Sequence, residues 1–93
     1  MAEAETISSA QCRAARALLD WSQGQLAKQA GIARTTLADF ERDVRAATRS
    51  TTISIINALE VAGVTFVQER KNAGAGVRFR QPLNTDCASP RSD

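Results

Sequence analysis

A chain of 93 residues with a net charge of +2 and no histidine is one domain, since domains typically run to about 100–150 residues. It is too short for more than one small core, which excludes a sizeable ligand cavity and a small-molecule ligand with it. With 43% hydrophobic and 24% charged residues the composition is that of a soluble globular protein. The missing histidines, and two cysteines (Cys12 and Cys87) far apart in the chain, leave no metal-ligand spacing and no disulfide framework. An enzyme is disfavoured and no cofactor or metal is expected. The N-terminus has no basic, apolar or cleavage-site pattern of a signal peptide, and no apolar run approaches the ~18 residues of a membrane span. A reduced, cytoplasmic protein is expected.

In chain order, residues 1–7 read as a tail. Ser8-Ser9-Ala10-Gln11 fits a capping box, with Ser8 as N-cap and Gln11 reaching back. Cys12, Ala15, Leu18 and Leu19 recur at helical spacing, so a first helix is expected from about Ser9 to about Leu19. Ser22-Gln23-Gly24-Gln25 is a second capping box and opens a helix over 23–30, with Leu26, Ala27 and Ala30 on one face and Gly31 ending it. Trp21 lies where its ring can plug the junction of the two helices. A third helix follows within two or three residues and turns Leu37 and Phe40 inward. The fourth, roughly 49–62, carries Thr52, Ile55, Ile56, Leu59 and Ala62 as one stripe, and Gly63 follows it. Periodicity then changes from helix to strand. Val64–Glu69 and Val77–Arg80 alternate apolar and polar across the Gly-containing stretch Arg70–Gly76, the pattern of a hairpin. Residues 81–93 hold both prolines and little apolar mass, and read as a disordered tail.

The informative segment is 22–42. Two short helices joined through a turn containing glycine form a helix-turn-helix, whose second helix can enter a DNA major groove. The segment SQGQLAKQAGIARTTLADFER resembles the Xre, or lambdoid-phage-repressor (Cro/CI), type of helix-turn-helix. Nine positions agree at fixed spacing: Ser22, Gln23, Leu26, Ala27, Gly31, Ile32, Leu37, Phe40 and Glu41. The resemblance extends over roughly 8–63. It implies a mainly α, lambda-repressor-like domain of four helices over 8–63, to which the strand alternation adds a C-terminal β-hairpin over 64–80.

What the resemblance implies for the site is specific. Arg34, Thr35, Thr36 and Asp39 would read bases: Arg34 can pair with guanine, Thr35 and Thr36 with a base edge or a thymine methyl, and Asp39 can accept from cytosine. Ser22 and Gln23 at the start of the second helix, with Arg42, Arg45 and Arg49 around the loop after the third, would contact the DNA backbone. Glu41 would form an ion pair with Arg16. The family often binds palindromic operators as homodimers. Two dockings are open for the hairpin: against the first or fourth helix of its own chain, or across a two-fold axis, pairing edge to edge with its mate in a four-stranded sheet, with Val64, Phe66, Val77 and Phe79 as a dimer interface.

Four positions depart from the family pattern. Ala33 stands where a Ser or Thr usually caps the third helix, Asp20 and Asp43 where glycines are usual, and Ala47 where proline is frequent. The expected protein is a transcriptional regulator, repressor or activator, of the kind found on mobile elements. Its partners would be double-stranded operator DNA and a second copy, with RNA polymerase as a possible contact. The alternative is a protein-binding module, an antitoxin or antiactivator on the same scaffold. Net charge is a poor guide here, because Arg34, Arg42, Arg45 and Arg49 cluster around the third helix while Glu3, Glu5, Glu69, Asp86 and Asp93 lie outside 8–63.

Overall fold

The first two helices begin with the same local device. In the computed structural model, which describes residues 6–44 and 47–81, Ser8 Oγ accepts from Gln11 N (3.0 Å) while Ser8 N donates to Gln11 Oε1 (2.9 Å), opening α1, Ser9–Leu19. Ser22 and Gln25 repeat the exchange at 3.0 and 2.8 Å to open α2, Gln23–Ala30. Each reciprocal pair satisfies backbone donors that a helix start leaves without partners. Third comes α3, Arg34–Glu41, whose N-cap Ala33 makes no side-chain cap. The fourth helix, α4, Arg49–Val61, is capped by Thr48, which accepts from Thr51 N at 3.1 Å.

Three helices end in the same way. Past α1, Trp21 N donates to Arg16 O and Asp20 N to Ala17 O; past α2, Ile32 N donates to Ala27 O and Gly31 N to Lys28 O; past α3, Val44 N donates to Asp39 O and Asp43 N to Phe40 O. This pair of bonds is the Schellman turn, which needs one residue in the left-handed region. That residue is Gly31 (φ 73°) after α2, but Asp20 (φ 58°) after α1 and Asp43 (φ 61°) after α3. Aspartate enters this region at a lower cost than most side chains, so the turns survive without glycine. Asp43 gains a second role there, since its Oδ2 accepts from Ser9 Oγ at 3.0 Å and ties the exit of α3 to the start of α1.

The core is one cluster. Cys12 and Ala15 of α1, Leu26 of α2, Leu37 of α3, Ile55 and Leu59 of α4 and Val64 are fully buried, with Ala27, Ile56 and Phe66 close behind. Trp21, Ile32 and Phe40 pack against it from the side. Ile7, read from the sequence as part of the tail 1–7, belongs to it too: it precedes the N-cap of α1 and joins the same cluster as Cys12, four residues into the helix, as in a hydrophobic staple, while residues 1–5 lie outside the described residues. Beside it, an open cleft of about 600 Å³ lies between the start of α1 and the exit of α3, lined by Ile7, Ser9, Phe40, Asp43 and Thr52 among others. It faces solvent and encloses nothing.

After Gly63 the chain forms β1, Val64–Val67, and β2, Gly76–Phe79, paired antiparallel with Val64 opposite Phe79 and Phe66 opposite Val77. Both strands differ from expectation by a few residues, because Arg70 and Ala73 pair across Lys71-Asn72 and close a separate tight tip. Of the two dockings open to the hairpin, the structure has the intramolecular one: β1 packs on α4, and both strands pack on α1. Gln11 Nε2 fixes this arrangement by donating to Val67 O (3.4 Å) and Gly76 O (3.1 Å). Val64 is 0% and Phe66 8% exposed, and Val77 packs on the same core. Together with half-buried Phe79 they form the face expected at a dimer interface. Val64 and Phe66 are thereby buried within the protomer, whereas Val77 and Phe79 keep part of their surface exposed.

Candidate nucleic-acid interface

Between α2 and α3 lie only Gly31, Ile32 and Ala33. So short a turn is possible because Gly31 reverses the chain and Ile32 packs on the core. At eight residues, α3 spans about 12 Å. Its inward face consists of Leu37, Phe40 and Glu41. The residues left outside are those expected to read bases: Arg34, Thr35 and Thr36 are exposed at its start, and Asp39 is half-exposed a turn later.

The start of α2 adjoins the start of α3. The stem of Arg34 passes Gly24, where a Cβ would meet Arg34 Cδ at 3.9 Å and Ser22 Oγ at 3.8 Å. The Ser22 box satisfies the N–H of Gln25, while the N–H groups of Gln23 and Gly24 have no acceptor within the helix. The positive end of α2 and the Arg34 guanidinium therefore stand side by side at the surface, an arrangement that attracts anions.

Gln23, expected on the DNA backbone, has its side chain engaged elsewhere: Nε2 donates to Glu41 Oε1 at 2.9 Å. Only its second N–H and its backbone amide remain for a phosphate. Arg42 is exposed and reaches Asp39 Oδ1 at 3.4 Å, an i, i+3 pair of small energetic weight in water. Arg49 is exposed on the first turn of α4, and Arg45 lies outside the described residues.

Arg16 and Glu41 meet beneath this surface. Arg16 Nε and Nη2 donate to Glu41 Oε2 (2.8 Å) and Oε1 (2.9 Å), a two-pronged pair whose carboxylate is 1% exposed. Glu41 Oε2 also accepts from Cys12 Sγ at 3.0 Å. Arg16 Nη1 donates to Trp21 O at 3.0 Å, and Arg13 Nη1 to the backbone carbonyl of Glu41. Burial pushes the Glu41 carboxyl up, but hydrogen bonds from Arg16, Gln23 and Cys12 outweigh it and hold the group below the usual glutamate range. Burial, then the hydrogen bond to Glu41, pushes the Cys12 thiol up, which keeps it protonated and able to donate. The hydrogen bond to Glu41 raises Arg16 in turn. One carboxylate thus joins α1, the α1–α2 junction, α2 and α3.

Sequence reasoning missed Cys12 and Gln23 as partners of Glu41. The spacing held a signal, because Cys12 and Arg16 are four residues apart and share one face of α1. Gln23 gave none, since its target lies on another helix.

Comparison with known proteins agrees with this geometry. A helix-turn-helix family model matches residues 13–65, more than half of the chain. No curated protein sequence matches it significantly. Among the described residues no helix is long and apolar enough to cross a membrane. With its tight α2–α3 turn and exposed α3, the chain belongs to the Cro/CI-type, Xre-like helix-turn-helix family of DNA-binding transcriptional regulators.

Proposed function

We propose that the chain reads a specific operator as a homodimer, placing α3 of each copy in successive major grooves of a palindromic site in the cytoplasm. The observation that carries this reading is the exposure of Arg34, Thr35 and Thr36 together at the start of α3, beside the positive end of α2. Arg34 is the guanine reader, Thr35 and Thr36 take neighbouring base edges, and Asp39 accepts from cytosine. Backbone contacts come from Ser22, Arg42, Arg45 and Arg49, with the amides at the start of α2 assisting. Since Val64 and Phe66 are buried in their own protomer, the two copies meet through surface that stays accessible, the hairpin's edges with Val77 and Phe79 included.

Selection from random duplexes, followed by binding isotherms at two salt concentrations, tests the reading. The expected result is a palindromic sequence bound at about 10 nM or tighter near physiological salt, with two chains per duplex. Replacing Arg34 by Ala is expected to cost about 1–3 kcal/mol of base discrimination at one position per half-site and to leave the melting temperature unchanged. Sequence-indifferent binding in the micromolar range would refute operator recognition.

A further inference from the structure

The hairpin tip and outer face carry cations that neither the core nor the helix-turn-helix uses. Arg70, Lys71 and Arg78 are all exposed. Among the described residues the ion pairs are Arg16–Glu41 and Arg42–Asp39, so none of these three has a carboxylate partner there. Arg80 differs, because its Nη2 donates to Glu60 O. Glu69 is the one acid between residues 64 and 81.

Their positions are set by the backbone. Arg78 lies opposite Thr65, on the face turned away from the buried Val64 and Phe66. Arg70 N donates to Ala73 O at 2.7 Å and Ala73 N to Arg70 O at 3.2 Å, which holds Arg70 and Lys71 in a closed tip. Gln11 ties the tip-proximal ends of both strands to the first turn of α1. Ser9, in that same turn, is bonded to Asp43 at the exit of α3. Two side-chain links therefore connect the tip-proximal strand ends, through the first turn of α1, to the exit of α3.

We infer that Arg70, Lys71 and Arg78 lie along the DNA sugar-phosphate backbone flanking the site read by α3, making the hairpin a second, sequence-independent contact. The chemistry favours phosphate over an acidic protein. Protein interfaces are anchored by buried apolar or aromatic side chains, whereas the exposed large hydrophobics among the described residues are Val44 and Val61, neither on the hairpin. Separated cations on a ridge suit a polyanion with regularly spaced charges. The inference rests on the proposed DNA-binding reading and adds an element to it.

The test compares the full chain with the triple variant Arg70→Ala/Lys71→Ala/Arg78→Ala, and with its Gln counterpart, which keeps more of the side-chain length. The probe is the selected duplex, extended about one helical turn past the site on each side. Each variant is expected to lose affinity equally on this duplex and on a scrambled one. Its slope of log K against log salt should be shallower by about 5, since two chains each lose three phosphate contacts worth roughly 0.9 apiece. Trimming the flanks should weaken the parent chain and leave the variants indifferent. Unchanged slopes in both variants overturn the hairpin contact, and base discrimination that still depends on Arg34 would then leave the α3 reading standing. Failure of the parent to bind any duplex overturns both.

Discussion

Glu41 concentrates more of the architecture than any other single residue. Its carboxylate takes hydrogen bonds from three side chains on two helices besides its own, while 1% exposed. Desolvating such a group offsets much of the attraction to Arg16, so the pair sets geometry more than it adds stability. Removing one partner is a different matter, because it strands the other. Glu41→Gln is expected to destabilise the chain by about 3 kcal/mol, measured by urea unfolding at neutral pH. The pH dependence follows from the lowered carboxyl. The network's contribution is complete above the ordinary glutamate value of 4.5 and is lost as pH falls through the lowered folded value. The unfolding midpoint of the parent should therefore drop in acid, and that of Glu41→Gln should drop less. Equal slopes in both would show that Glu41 is not held below its ordinary range.

Helix ends were legible because their chemistry is local. A capping box spans four residues, and Ser8-Gln11 and Ser22-Gln25 place the starts of α1 and α2 where periodicity alone would leave them uncertain. Departures from the family pattern were legible at the same range, and the structure shows how two are tolerated. Asp20 and Asp43 adopt the left-handed conformation that glycine would take. Ala33 keeps the extended N-cap backbone (φ −71°, ψ 142°) but supplies no acceptor. That geometry awaits a hydroxyl. Ala33→Ser is expected to stabilise the domain by about 1 kcal/mol, a rise of roughly 4–8 °C in the melting temperature for a domain of this size. A melt unchanged by the substitution would mean that the serine does not cap. Strand limits were less legible: the pairing of Arg70 with Ala73 divides the loop in a way that alternation does not encode.

At the scale of the molecule, the hairpin decides what kind of protomer this is. An isolated two-stranded sheet is marginal in water, and this one is stabilised by packing Val64 and Phe66 among the helices. The test is direct. Phe66→Ala should cost about 3 kcal/mol of unfolding free energy, read by denaturant titration at several protein concentrations. A loss that appeared only as weaker self-association would instead place Phe66 in a dimer interface. The same docking means that a chain ending at Gly63 lacks part of its core and would not give a folded monomer.

Residues and spacing by themselves determined the four helices, the N-caps of α1 and α2, the turn between α2 and α3, and the inward turn of Leu37 and Phe40. Each depends on contacts within a few positions, or on a periodicity that one helix displays alone. Tertiary structure decided which way the hairpin folds, why Ile7 and Gln11 matter beyond helix capping, and that Gln23 turns toward Glu41. The physical reason is common to all three. An apolar strand face is satisfied equally by its own helices or by a second copy, and a polar side chain by water or by a buried partner. Only the relative placement of distant segments selects between them.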